Sequence, residues 1–437
     1  MSIPAFVNVA PPKLPKDLSG RFLLSESAAL KTNRSRSRPP LPSRFPEWMR
    51  EKPLRRAIRQ RSAGRTGPAA VVTVPARDEE ENMPPLMEAL ASQGGLAGRD
   101  FFEVFVLANN CMDRTAAAAQ HYGRRAGLVV RTANVSLPAD VAHVGTARRL
   151  LARAALQRIA DDRGPGGGAV LTTDADTKPA VDWVAENLRA LREGADCVCG
   201  RVLVEAPDPA DLIGRRAARW HGLRRRHRRL SDRLAWLIDP EPDDPWPRHT
   251  DEAGASLAIT AEALRRCGGF PALRCGEDRA LADAVRRAGG RVRHDPRVSV
   301  RTSRRRDGRC PGGLADLLTR LGSASSSDQS ETDRLVEDPR RWERRLHVRA
   351  ALRRIWSRPP APAERYETHG LLDRTALARR HAAGEPFGGI VADLNAAHDP
   401  PTVPLKDAVQ RLSDRVAQLT VRREPPCQSA FSNRSIR

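Results

Sequence analysis

Gly168-Ala169-Val170-Leu171-Thr172-Thr173 runs without a charge into Asp174-Ala175-Asp176, and that ending limits the fold more than any other stretch of the chain. A short apolar run with no alternation reads as a strand buried on both faces, the habit of parallel sheets. Two carboxylates one residue apart at its end put hard oxygen donors on the rim of the sheet, where open α/β folds bind ligands. Mg²⁺ or Mn²⁺ takes such carboxylates together with the oxygens of a diphosphate. The same pair, taken alone, also reads as a cap for the helix after Pro179.

Three further segments share this design. Ala70-Val71-Val72-Thr73-Val74 is a β-branched strand that ends in Pro75-Ala76-Arg77 and an acidic helix start, Asp78-Glu79-Glu80-Glu81. A second strand, Phe102-Glu103-Val104-Phe105-Val106-Leu107-Ala108, breaks into the turn-forming Asn109-Asn110-Cys111-Met112-Asp113 before an alanine-rich helix. Gly276-Glu277-Asp278 opens a helix that runs to about Ala288. Strands alternating with helices at this spacing predict an α/β domain with a mostly parallel, open sheet.

These motifs, in this order, resemble the family 2 glycosyltransferases of the GT-A fold over residues 69–309. Val74 to Glu80 is similar to the family's opening nucleotide-binding strand and loop, and Asp174-Ala175-Asp176 to its metal-binding Asp-x-Asp. Glu277-Asp278 looks like its Glu-Asp pair, whose Asp is the base of inverting transfer. Gly254-Ala255-Ser256-Leu257 and Cys267-Gly268-Gly269-Phe270-Pro271 resemble its acceptor-side segment. The resemblance implies a Rossmann-like sheet flanked by helices, a nucleotide-sugar donor and a divalent cation, Mg²⁺ or Mn²⁺, at Asp176 and Asp174. It implies nucleotide contacts at Pro75, Ala76, Arg77, Glu79, Asn109, Asp113 and Asp174. Catalysis falls to Asp278 with Glu277 beside it.

Two positions depart from the family pattern. The family's usual Asp pair after the second strand is replaced by Ala108 and Asn109; Asn donates as well as accepts, which changes how a nucleobase is read. The stretch Val298-Ser299-Val300-Arg301-Thr302-Ser303 lacks the His that often helps hold the metal, and His294 reads as structural. The chemistry itself sets the roles. A leaving diphosphate gains negative charge that a cation at Asp174 and Asp176 would neutralise. The acceptor hydroxyl needs a base within hydrogen-bond reach, the part given to Asp278. Without the resemblance, Glu277 and Asp278 read as carboxylates drawn to a helix N-terminus.

The organisation divides into four parts. Residues 1–67, rich in Pro, Ser and Arg, read as a disordered arm; 68–322 form the glycosyltransferase domain; 323–338 are a Ser-rich linker; 339–437 are a helical extension with Pro-rich joints. Helical patterns fall at 339–356, 371–383 and 405–421, the last with a narrow stripe of Leu405, Val409, Leu412, Val416 and Leu419 suited to docking or self-association. The start of the chain lacks the basic and apolar segments of a signal peptide, and seven scattered cysteines suit a reducing, cytoplasmic setting. Cys197-Val198-Cys199 has no second pair to complete a zinc site.

A net charge of +22 invites a nucleic-acid reading. Only six of the 75 basic residues are Lys and aromatics make up 4%, so no stacking platform exists and no specific nucleic-acid partner is expected. In residues 213–238, Ile213, Ala217, Trp220, Leu223, Leu230, Leu234 and Leu237 form an apolar stripe beside a strongly cationic face. That helix packs on the domain with a solvated arginine face. The alternative is peripheral contact with an anionic inner membrane surface, or with a lipid-linked or small acidic acceptor. Asp239 to Pro245 then reads as a mobile loop.

Two other classes of function compete. A nucleotidyltransferase-like sugar-nucleotide enzyme would carry a Gly-rich basic loop where Pro75-Ala76-Arg77-Asp78-Glu79 stands. A catalytically inactive sugar-nucleotide or polyanion binder would find its best support in Asn109. A dinucleotide oxidoreductase is excluded, because no G-x-G-x-x-G turn follows Val74 or Leu107.

Overall fold

The computed structural model describes residues 68–96, 102–164, 167–308, 312–323, 335–396 and 402–423. The expected arm at 1–67 and most of the Ser-rich linker lie outside these residues. The first half builds a sheet: β1 (Ala70–Ala76), β2 (Phe102–Asn109), β3 (Val130–Val135), β4 (Ala169–Thr172) and the short β5 (Thr177–Pro179). Between them come α1 (Met83–Ala91), α2 (Thr115–Arg125) and α3 (Val144–Arg163). There follow α4 (Trp183–Arg192), β6 (Cys197–Val204), the long α5 (Leu212–Ile238), β7 (Leu257–Thr260), α6 (Ala261–Arg266), α7 (Glu277–Arg287) and β8 (Val292–Thr302).

One eight-stranded sheet results, in the order β3-β2-β1-β4-β7-β6-β8-β5. Four pairings are parallel and three antiparallel, with β7 inverted between β4 and β6. Strands β1, β4, β6 and β8 therefore all end on one rim, and β7 begins there. Ala70, Val71, Val72 and Val74 of β1 are fully buried, and Val170 and Leu171 of β4 nearly so, because helices cover both faces. Each such Val or Leu contributes roughly 1.5–3 kcal/mol relative to exposure.

A charge sits inside this core. Glu103 of β2 is buried between Arg131 of β3 and Arg158 of α3, at 2.7 and 2.8 Å. Burial alone would raise its carboxyl, but the two guanidinium groups outweigh that and hold it below the usual range. Pro296 lies within β8, and the β6–β8 register shifts between Gly200 and Arg201, a bulge that absorbs the residue unable to donate to the ladder.

The rest of the chain adds α8 (Leu314–Ser323), β9 (Leu335–Glu337), α9 (Pro339–Trp356), α10 (Arg374–Ala382), α11 (Phe387–Ala396), β10 (Thr402–Pro404) and α12 (Leu405–Arg423). Its stripe of Leu412, Val416 and Leu419 does dock, and the surface it meets is α5: Leu230, Leu234, Ala235 and Ile238, together with Leu346 and Trp342 of α9. Leu314, Leu317, Leu318 and Leu321 of α8 cover Ala217 and Trp220 at the other end of α5. The apolar stripe of α5 is thus spent inside the molecule. Leu212 and Ile213 at its start stay exposed, and Arg215, Arg219, Arg226, Arg228 and Arg229 face outward. No helix among the described residues is long and apolar enough to cross one.

The loop after α5 is tied down, contrary to its expected mobility. Asp239 is buried against Arg349 and Arg353 of α9, and Asp244 against Arg248 and His294, at 2.8 Å each for the last two. Arg349, Arg353 and His294 come from far along the chain, which local pattern does not reveal. His294 is structural, as expected: it is buried and paired with Asp244, and although burial works against it, Asp244 raises the imidazole well above its usual range.

Candidate active site

The rim formed by β1, β4, β7 and β8 gathers most of the residues singled out in the sequence. Asp174 and Asp176 lie in the short link between β4 and β5, not at a helix start; the next helix, α4, opens at Trp183. Helix α7 begins with Glu277 and Asp278, after Gly276 at φ 75°, a conformation that glycine adopts without strain.

The residue that joins these elements is Arg148 of α3. Its Nη2 donates to Asp174 Oδ1 and its Nη1 to Glu277 Oε1, so one buried guanidinium ties the end of β4 to the start of α7. Gly254 lies flat over this group, and a methyl there would collide with the guanidinium carbon. The Gly254 amide donates to Asp278 Oδ2 at 2.9 Å, while Oδ1 accepts from the Arg279 amide at 2.8 Å. Each carboxylate oxygen can accept two hydrogen bonds and here accepts one, so Asp278 keeps capacity to take a proton from a hydroxyl. Glu277 is buried and engaged by Arg148, which makes it a holder of that arginine. Arg148 was not among the sequence candidates. Its signal is a charge on the buried face of α3, in helical register with Leu151, Ala152, Ala155 and Ile159, all nearly unexposed.

A second missed arginine, Arg305, spans two predicted residues. Its Nε lies 3.1 Å from Asp176 Oδ2, and its Nη groups lie 2.7 and 3.0 Å from the Glu79 carboxylate. Ser303 Oγ donates to Asp176 at 2.9 Å. Glu79 is therefore a buried, paired group.

The predicted nucleotide residues sit around the ends of β1 and β2. Pro75 and Ala76 close β1 opposite Leu107 and Ala108, and Arg77 is exposed beyond them. Asn109 is buried at the end of β2, and its Oδ1 is buried with no hydrogen-bond partner. Asp113 accepts from the amides of Glu80 and Thr115 at 2.9 and 3.0 Å, which knits the two loops together. Asp78, Cys111 and Asp113 bring ligand atoms within 4.8 Å of one another, a candidate cation cluster among the described residues. Asp78 also accepts from the Met112 amide at 2.6 Å, and burial pushes the Cys111 thiol up, so this trio is first of all a clasp between loops.

Electrostatics at the rim favour an added cation. Five carboxylates (Glu79, Asp174, Asp176, Glu277, Asp278) meet two guanidinium groups (Arg148, Arg305), an excess of three negative charges. Partial loss of solvent around the Asp174 side chain pushes it up to about 6; Arg148 opposes this, while Asp176, Glu277 and Asp278 add to it. Oδ2 of Asp174 and Oδ1 of Asp176 have no hydrogen-bond partner among the described residues. Hard oxygen donors with surplus negative charge fit Mg²⁺ or Mn²⁺.

No protein-family model matches the chain, and no curated protein does. Solved structures similar to it include the mannosyltransferase PcManGT from Pyrobaculum calidifontis in complex with GDP-Man and Mn²⁺, with 17% identity, coverage of 85% of this chain and 87% of that one, and a TM-score of 0.39. S. aureus TarS 1-349 in complex with UDP-GlcNAc shares 13% identity over 75% of this chain and 92% of its own, with a TM-score of 0.39. A mycobacterial protein shares 21% identity over 61% and 74% of the two chains, with a TM-score of 0.32. At such identities the chemistry has to be argued from the residues themselves.

Proposed function

We propose that this protein is a glycosyltransferase that moves a sugar from a nucleotide-sugar donor to an acceptor hydroxyl with inversion at the anomeric carbon. The observation that carries this reading is the Arg148 bridge: it brings the strand-end carboxylates of β4 to the helix-start carboxylates of α7. A donor laid along the ends of β1 and β2 would set its base near Asn109 and its ribose and diphosphate toward Asp174 and Asp176. Asp278 takes the proton of the acceptor hydroxyl; the oxygen bonds to the anomeric carbon as the bond from that carbon to the diphosphate oxygen breaks. Arg148 and Glu277 fix the position of the α7 start, and Gly254 orients the base carboxylate. Asp176 and Asp174 would hold the divalent cation, which supplies Lewis-acid charge neutralisation to the leaving diphosphate when bound.

Calorimetric titration of nucleoside diphosphates with and without Mn²⁺ tests the donor half of this reading. Wild-type protein is expected to bind one of them in a Mn²⁺-dependent manner, and Asp176→Ala to lose that dependence with its melting profile intact. Equal affinity in the two proteins, with or without chelator, would remove Asp176 from the site.

A further inference from the structure

The rim carries a second group of charges that the transfer reaction as described does not use. It lies on the acceptor side, where β6, the segment before β7 and the middle of α5 meet. Arg228 of α5 pairs with Asp251 at 3.1 Å, and the Val202 amide of β6 reaches the same carboxylate at 3.4 Å. Asp251 stands three residues before Gly254, whose amide holds Asp278. Three residues of chain span at most about 10 Å, so the group adjoins the proposed base. Arg304 follows Ser303 and precedes Arg305; it turns the other way from Arg305, donating through Nε to the Glu205 carbonyl at the end of β6. Its Nη1 is buried without a partner. Arg225 is half-buried on α5 and has no hydrogen-bond or ion-pair partner among the described residues. Arg201 stands exposed at the β6–β8 register shift, where a bulge re-aims the strand.

Arg225 and Arg228 face Asp251, with Arg201 beside Arg225, while the carboxylate nearest Arg304 is Asp211, which also pairs with Arg306: five positive charges less two negative leaves three positive. Like charges felt across this small space leave their mark on the neighbours. Burial, then Arg201, lowers the Arg225 guanidinium, and burial followed by Arg228, Arg225 and Arg304 pushes His221 down to about 4. A fold that gathers more arginines than carboxylates beside the proposed base holds them against mutual repulsion, and a bound anion would relieve it. Arginine forks match the oxygens of a phosphate, whose charge of nearly −2 suits this excess better than a single carboxylate.

We infer that the acceptor is a phosphate-bearing molecule, whose phosphate is held by Arg201, Arg225, Arg228 and Arg304 while its hydroxyl faces Asp278. This rests on the glycosyltransferase reading of the same rim. The phosphate could belong to a small soluble molecule or to a lipid headgroup, and two arms of one experiment separate these sources.

The protein, with its donor site filled by the nucleoside diphosphate and Mn²⁺ it binds, is titrated with inorganic phosphate and, separately, sedimented with phosphatidylcholine vesicles containing phosphatidylglycerol. The informative variant is Arg201→Gln/Arg225→Gln, because neither residue has a partner and no ion pair is broken. Arg215→Gln/Arg219→Gln, on the exposed face of α5, is the control for general positive charge. The expected result is a loss of phosphate affinity of about tenfold or more in the first variant, the scale of a charge-assisted hydrogen bond, with the control and the nucleotide affinity unchanged. Vesicle binding lost in the first variant but kept in the control assigns the phosphate to a lipid; phosphate binding without vesicle binding assigns it to a soluble acceptor. Equal loss in both variants, no loss in either, or a fall in nucleotide affinity would overturn the inference. Absence of any nucleoside diphosphate binding in the wild type would instead overturn the donor reading, and the phosphate titration can still be read without it.

Discussion

Asp278→Asn is expected to cut sugar transfer by ~10²-fold or more, the scale of general-base loss, while nucleoside diphosphate binding survives. The substitution keeps the shape of the side chain and removes one basic oxygen. It is not silent structurally. Two backbone amides, Gly254 and Arg279, donate to the two carboxylate oxygens, and an Asn offers a single acceptor oxygen to that pair. A stability loss of roughly 1–3 kcal/mol from one unsatisfied donor is therefore expected alongside the kinetic effect. Nucleotide affinity separates the two, since a protein that still binds the donor is folded at the rim. Proton NMR of the product is expected to show the anomeric configuration inverted. Retained turnover in Asp278→Asn, or a product that keeps the donor's configuration, would reject both the residue and the single displacement.

Arg148→Met is expected to have the largest effect on stability, because it leaves Glu277 buried without its cation. Removing one partner of a buried pair costs about 3–5 kcal/mol, mostly the penalty on the charge left behind. The contact to Asp174 adds less, since that side chain is 36% exposed and water screens it. The Glu277 half can be checked on its own. Adding Glu277→Gln to Arg148→Met replaces the orphaned carboxylate by a neutral amide and should restore a good part of the lost stability, by chemical denaturation. The double variant should still bind nucleotide poorly, because Asp174 has lost its tether. If Arg148→Met melts like the wild type, the bridge does not hold the site together.

Much of this site was legible in the sequence, and the reason is local. Uncharged, mostly apolar runs at 70–74 and 169–172 read as strands buried on both faces, and Asp174 and Asp176 follow the second of them. Glu277 and Asp278 had to open a helix after a glycine. What the sequence hid was the wiring between these points. Arg148 is 129 positions from Glu277, and Arg305 is 226 from Glu79, so neither pair leaves a periodic trace. Arg305 stands in a run of three arginines in which nothing local says that it turns to Asp176 and Arg304 to β6. The loop after α5 looked free because it is rich in Pro and Asp; Arg349, 110 positions onward, holds it. Strand β5, three residues at the sheet edge, and α11 were too short or too weakly patterned to be read.

The most direct measurement is a panel of UDP-, GDP- and dTDP-sugars incubated with purified protein, with and without Mn²⁺, scored by released nucleoside diphosphate. A glycosyltransferase without its acceptor hydrolyses its donor slowly. Release is expected from one donor, dependent on Mn²⁺, lost in Asp176→Ala and strongly reduced in Asp278→Asn. No release from any donor by a folded wild-type protein, or release that is unchanged in both variants, would contradict the assignment.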